Sequence, residues 1–582
     1  MSDTHAAGPN ASADPPLRCR PGRLLAAAAL SLSMLLAACG GGSGSNPQPE
    51  PGSVSGTVTY DAVPAKKSAG LDYGATRALP VRGAVVEAIS GEEVLASTVT
   101  DEQGWYALAL PPGRNVQIRV QARLLRESPQ GAWSVAVRDN THPGYRAVPS
   151  NAPVYALVSS PLSVPQVGMT LDLHAASGWT GSNASGRYAG PRAAGPFSVL
   201  DQAYASMQRF LAVAPDINFP HLDIYWSVNN RSANGNPADG DIGTSHFTSG
   251  GPAPGLYILG KADVDTDEYD TGVVVHEWGH YFEAHISRSD SPGGPHTEGD
   301  KLDMRIAWGE GWGNGLSGIV RDDPFYVDTS GPRQQYSFYF DVSAPPAPPD
   351  DAAWYNEAAI QYFLYQLAQE PDGFKSTVSI LRNEQRHTPA YTSIFPFGAA
   401  LAKHLTDGVV IGRVNQLLAD VGTPALGELD EWGSAASYTI PTDPPISATP
   451  YLKFAAPQAK TPTRQQACVS NLLGNESNKL DQGRFLRLQV EEPGSYRLGA
   501  RLLSPEGAKT KAFLMLSRSG ESIDMDDEEV EGELEPGTYT ATLLDYSIAE
   551  DADDDDDDVE RAPPGTQVCY EVTFERISAG GQ

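Results

Sequence analysis

The sequence predicts a multidomain chain in which an α+β domain stands between two all-β sandwiches. Three observations carry this reading. With 582 residues the chain is too long for one ordinary core. Apolar residues alternate with period two near both ends, punctuated by Gly and Pro. Between those ends, from about residue 270 to 435, the apolar spacing becomes helical.

At the start, Arg18, Arg20 and Arg23 precede an apolar run over residues 24–38, too short to span a bilayer as a stable helix. This is the charged and apolar pattern of an export signal. It ends Leu36-Ala37-Ala38-Cys39, followed by a Gly/Ser stretch. The arrangement resembles a bacterial lipoprotein signal, which implies removal of residues 1–38 and a lipid on Cys39. Residues 39–52 then form a flexible tether, and the expected location is the cell envelope, anchored to a membrane by that lipid. Lys and Arg total 41 against 72 Asp and Glu, a net charge of −31, which repels phosphate backbones and argues against nucleic acid as a partner.

Residues 53–175 carry the first β-rich region. Val54 to Val58, Val81 to Val86, Thr100 to Tyr106 and Val116 to Val120 alternate as in a small antiparallel sandwich, with further strands expected near Val154 and Leu171. These segments resemble the carboxypeptidase regulatory-like domain, which implies a spacer or binding module without catalytic residues. Residues 185–445 form the expected α+β domain. Its signals are a helix from Ser198 with Val199, Ala203, Met207 and Phe210 on one stripe, strands at 221–226 and 256–259, and later helices over 354–369 and 397–404. A Pro-rich stretch at 441–462 precedes the C-terminal sandwich, residues 463–582. There, 485–490, 494–498 and 534–541 alternate like strands, and the Gly-x-Tyr and Pro-Gly-Thr-Tyr turns resemble the pre-peptidase C-terminal type. Of the four cysteines, Cys468 and Cys569 remain after Cys19 leaves with the signal and Cys39 takes the lipid. In an oxidising compartment they are expected to pair. The aspartate run at 553–558 reads as a solvated loop rather than a calcium site, because a calcium loop interleaves spacers between its acids.

The chemistry sits at Asp270-Thr271-Gly272-Val273-Val274-Val275-His276-Glu277-Trp278-Gly279-His280, read as one helix with Asp270 near its N-cap. Histidines four apart lie on one helical face, so His276 and His280 can offer two imidazoles to one ion, for which zinc is suited. Glu277 then stands beside a metal-activated water as general base. The metzincin pattern fails, since Glu283 and Ile286 occupy its Gly and His positions. His285 lies roughly opposite His276 and is a poor ligand. Downstream, residues 306–319 resemble the second helix of the gluzincins, the thermolysin-like group, which implies Glu310 as third ligand and Asn314 as the residue orienting a ligand histidine. That family often has Asp where this chain has Asn314. The reserve ligand is His296, in a loop that also offers Glu298, Asp300 and Asp303. Gly309, Gly311, Gly313, Gly315 and Gly318 cost about 1 kcal/mol each inside a helix. Either the helix packs very closely on its neighbours, or this stretch is a loop. Residues 265–320 also resemble bacterial lipoproteins that pair a His-Glu-Phe/Trp-Gly-His helix with a Gly-Glu-Gly-Trp helix. The expected function is therefore zinc-dependent hydrolysis of a peptide or protein substrate. Tyr355, Tyr362 and His387 are candidates to stabilise the oxyanion. The alternatives are a non-catalytic surface lipoprotein, serving adhesion or scaffolding on a vestigial core, and a zinc hydrolase of cell-wall peptides.

Overall fold

A computed structural model describes residues 52–346, 353–458, 461–475, 478–505, 509–549 and 559–577. The export signal, Cys39 and the aspartate run at 553–558 lie outside these residues.

Alternation in the first β-rich region produces two sheets. One is built around the strand Ser53–Ala62, which pairs antiparallel with Trp105–Ala109 and Arg77–Pro80 and parallel with Met169–Thr170 and Leu173–Ala175. The other contains Glu93–Val99, Ala84–Ser90, Asn115–Arg126 and Trp133–Arg138 in that spatial order. The expected small antiparallel sandwich differs here, because the second sheet does not stop at its last strand. Trp133–Arg138 pairs parallel with Leu222–Trp226, placing Leu222 opposite Val135. Leu222–Trp226 in turn pairs with Gly255–Ile258, and His246–Thr248 closes the far edge. The nine-stranded sheet thus runs across the expected boundary at 175–185. Leu222, Ile224, Trp226, Leu256 and Ile258 are fully buried apolar side chains that extend the core of the first region without a break.

Helix Ala194–Leu211 lies against this sheet through the predicted stripe of Val199, Ala203, Met207 and Phe210, all buried. The Phe210 ring meets Phe282 at 4.2 Å and Trp278 at 5.3 Å, so it ties the sheet layer to helix Thr271–Ile286. The glycine-rich stretch is helical over Met304–Arg321. Asp303 caps it, its carboxylate accepting from the Arg305 N–H at 2.9 Å. Four of its glycines face neighbouring elements that leave no room for a side chain. A Cβ at Gly313 would meet the His276 ring at 2.8 Å, one at Gly311 would meet Ile360 at 2.4 Å, one at Gly315 the Gln361 carbonyl at 3.1 Å, and one at Gly318 Val342 at 2.8 Å. Close packing, rather than a loop, explains the glycines. The third neighbouring helix is Glu357–Gln369, capped by Asn356.

The C-terminal region is a two-sheet sandwich with its own core. Tyr451–Phe454, Arg484–Val490, Gly537–Asp545, Ala512–Arg518 and Glu521–Asp527 form one sheet. Thr463–Ser470, Gln567–Arg576, Gly494–Ser504 and Glu529–Leu534 form the other. Cys468 and Cys569 stand opposite one another in this second sheet and are joined by the expected disulfide. The sandwich also grips the helical region. Tyr391 Oη lies 2.8 Å from Thr542 Oγ1, and the Arg305 guanidinium sits 4.9 Å from the Tyr391 and Phe485 rings. No helix among the described residues is long and apolar enough to cross a membrane.

Two glycine substitutions distinguish packing from propensity. Gly311→Ala is expected to lower unfolding free energy by about 1–3 kcal/mol through overpacking. Gly412→Ala, on the exposed face of helix Gly408–Asp420 with nothing near its Cβ, is expected to raise it by about 1 kcal/mol. Denaturant titration of both variants measures the difference.

Candidate metal centre

Val274 and Val275 anchor the histidine helix in the core and leave Val273 and the next turn facing a large cleft. The cleft encloses about 1390 Å³ and is lined by His276, Glu277, His280, His296 and Glu310, among others. At its floor, His276 Nε2 and His280 Nε2 lie 3.0 Å apart. Glu310 Oε2, brought in by the glutamate helix, lies 3.2 Å from the first and 3.5 Å from the second. A four-coordinate divalent ion bound at about 2.0–2.2 Å has ligand-to-ligand edges of roughly 3.3 Å. The three donors therefore already outline one face of such a site. Asn314 Oδ1 lies 2.8 Å from His276 Nδ1, placed to accept its N–H, as expected from its place one turn after Glu310. With Nδ1–H donating to that amide oxygen, Nε2 would be the ring nitrogen left to hold an ion.

The glycines make this approach physically attainable. A Cβ on Gly279 would come within 3.3 Å of Gly313 Cα, and Trp312 Nε1 donates to the Gly279 carbonyl at 3.0 Å. Backbones this close let the short Glu310 side chain reach both imidazoles.

His296, the reserve ligand, also reaches Glu310 Oε2, at 3.3 Å from its Nε2. It is not part of the set in which every donor lies within 4.8 Å of every other, which is His276, His280 and Glu310. Its Nδ1 is held by Glu357 at 2.8 Å, at the start of the third helix. The loop carrying it is fastened from the C-terminal sandwich side. Asn478 Nδ2 donates to the Gly293 and Pro295 carbonyls at 3.0 and 3.1 Å, and Lys479 Nζ donates to Pro295 O at 2.8 Å. Glu298 lines the cleft, Asp300 accepts from the Thr297 N–H, and Asp303 is spent on the helix cap. His285 turns away, tilted against Tyr281 and edge-on to Phe247.

Among the three oxyanion candidates, only His387 lines the cleft. Tyr362 points its hydroxyl toward Asp420 at 3.5 Å, and Tyr355 packs beside Trp354. Tyr326, unforeseen in the sequence, lies edge-on to His276 with ring centroids 6.1 Å apart. Its position comes from pairing of Phe325–Ser330 with Tyr336–Asp341, a register that local periodicity did not announce. Glu357 was equally hidden, since it reads locally as an ordinary first-turn glutamate.

Burial alone would lower the basicity of His280, but the Glu310 carboxylate, with Glu277 and Glu283 behind it, pushes its pKa up to about 9. His296 behaves alike, with Glu310 and Glu357 outweighing burial, and also reaches about 9. Burial would raise Glu310, yet the His280 and His296 charges hold it well below the usual carboxylate range. In the metal-free protein His280 is therefore protonated at pH 7 and must lose that proton to bind an ion. Loading a divalent ion at pH 7 is expected to release at least one proton, and affinity should rise as pH increases from 7 to 9. Calorimetry in buffers of different ionisation enthalpy measures the release.

No family model and no curated protein matches the chain. Among solved structures, it is similar to the pre-peptidase C-terminal domain of a collagenase from Bacillus anthracis, at 10% identity and a TM-score of 0.13, over 22% of this chain and 92% of that one. It is also similar to a periplasmic inhibitor of g-type lysozyme from Aeromonas hydrophila, at 11% identity and a TM-score of 0.13, over 21% of this chain and 96% of that one. Scores this low carry no functional argument.

Proposed function

We propose that the chain is a zinc-dependent metallopeptidase of the gluzincin-like kind, exported and lipid-anchored in a bacterial cell envelope. The observation that supports it most is the convergence of His276, His280 and Glu310 at the floor of a large open cleft, with Glu277 in the same cleft. Two imidazoles and one carboxylate are a donor set suited to zinc with a coordination position left for water or substrate. When bound there, zinc would act as a Lewis acid on a scissile carbonyl and lower the pKa of water. The chain's own groups do the rest. Glu277 takes the proton from the attacking water and passes it to the leaving amine. His296, oriented through Nδ1 by Glu357, carries a proton into the cleft and stabilises the developing oxyanion. Asn314 holds His276 in its ligating tautomer.

A purely structural metal site has no need of Glu277, and this favours an enzyme over a scaffold with a vestigial centre. The cleft volume of about 1390 Å³ suits an extended peptide, whether from a protein or from a cell wall.

Metal analysis and a broad peptide-library digest test the reading. Wild type and Glu277→Gln should both bind one zinc, with cleavage only by the wild type. His296→Gln should keep its zinc and lose about 10²–10³-fold in kcat. Zinc without cleavage of any peptide would favour the scaffold reading. Loss of zinc from His296→Gln would make that histidine a ligand instead.

A further inference from the structure

A second group of acidic side chains lines the same cleft and takes no part in the chemistry above. One carboxylate oxygen from each of Asp265, Asp267 and Asp328 lies within 4.8 Å of the others. Asp265 belongs to the strand Asp265–Thr266, and Asp328 to Phe325–Ser330, paired with it at Asp265 and Ser330. Asp267 is only 3% exposed, and Asp270, at the start of the histidine helix, is fully buried. Asp267 Oδ2 accepts from Ser245 Oγ, and Asp270 Oδ2 accepts from the Thr329 N–H and Oγ1 at 2.7 and 2.8 Å. The second oxygens of both, and Oδ1 of Asp265, are buried without a hydrogen-bond partner. The bonds to Thr329 turn the Asp270 carboxylate away from the cap that the sequence suggested. Nearby Glu268 shows the contrasting case, since Arg192 neutralises it. Among the described residues, no lysine or arginine forms an ion pair with Asp265, Asp267, Asp270 or Asp328.

Buried, unpaired like charges are unfavourable unless a cation or protons relieve them. We propose that Asp265, Asp267 and Asp328, backed by Asp270, form a binding site for a calcium ion beside the zinc-type centre. Donors that are all oxygen select a hard cation. Three oxygens within 4.8 Å of one another can all reach one calcium ion, whose bonds are about 2.3–2.6 Å. A single lysine or arginine of a substrate would neutralise only one of the charges. Without the ion, burial and then mutual repulsion push Asp267 and Asp270 far above the usual carboxylate range, and raise Asp328 to about 7. The ion would clamp the Asp265 strand and the Tyr326-bearing strand to the start of the histidine helix, fixing one cleft wall.

The inference does not rest on the peptidase reading, because calcium and zinc contents are measured separately. The full chain, stripped with chelator and reloaded with zinc, is dialysed against radioactive calcium, and its melting is followed with and without 1 mM calcium chloride. The expected result is one more tightly bound calcium per chain in the wild type than in Asp267→Asn or Asp328→Asn, at equal zinc content. Calcium should raise Tm by about 3 °C or more in the wild type only. Without calcium, Asp328→Asn should melt at or above the wild type, because it removes repulsion, and this guards against misfolding of the variant. Equal calcium binding by all three chains would mark adsorption to the acidic surface and overturn the proposal. So would a cleft that binds an arginine-rich peptide through Asp328 but no calcium.

Discussion

The approach of two helix backbones at Gly279 and Gly313 is the constraint on which the candidate centre depends. A Cβ at Gly279 would sit 3.3 Å from Gly313 Cα, and one at Gly313 would overlap the His276 ring. Only at that separation can a glutamate on one helix place its carboxylate 3.2 and 3.5 Å from two imidazoles on the other. The local cost is a helix with five glycines, about 1 kcal/mol each, which its buried tryptophans and leucine offset. Trp308, Trp312 and Leu316 are fully buried, so the same helix that gives up side chains on one face supplies large ones to the core.

The regions around this pair act on it rather than merely flanking it. The nine-stranded sheet continues from the first β-rich region to the strand next to the cleft, and helix Ala194–Leu211 transmits that layer to Trp278 and Phe282. The C-terminal sandwich supplies Ser519, Gly520 and Glu521 to the cleft wall and fastens the His296 loop through Asn478 and Lys479. His296 therefore owes its place to Glu357 on one side and to a different layer of the protein on the other. A cleft assembled from three parts of the chain is one whose shape any of them can alter.

Much of this was legible in the residues. Period-two alternation located the strands Asn115–Arg126, Arg484–Val490 and Gly494–Ser504, and their buried side chains fall on alternate positions. The four-residue spacing of His276 and His280 put both on one face, and the stripe of Trp308, Trp312 and Leu316 favoured a helix despite its glycines. What was hidden depended on tertiary pairing. The junction of Trp133–Arg138 with Leu222–Trp226 pairs residues 87 apart in the sequence, Asp223 opposite Ala136 and its neighbours, and no local pattern encodes it. Glu357 meets His296 across 61 residues, and Asp265 meets Asp328 through a sheet whose two strands stand on either side of the histidine helix in the sequence. Asp270 looked like a capping residue because its type and position allow it, but Thr329 claims the carboxylate.

X-ray absorption at the zinc edge of the zinc-loaded chain tests the central claim most directly. The account predicts a first shell of nitrogen and oxygen at about 2.0–2.1 Å, with scattering from two imidazoles and no sulfur. In Glu310→Ala the oxygen contribution should fall and zinc should be largely lost. A shell containing three imidazoles, or full zinc occupancy in Glu310→Ala, would contradict a centre built from His276, His280 and Glu310.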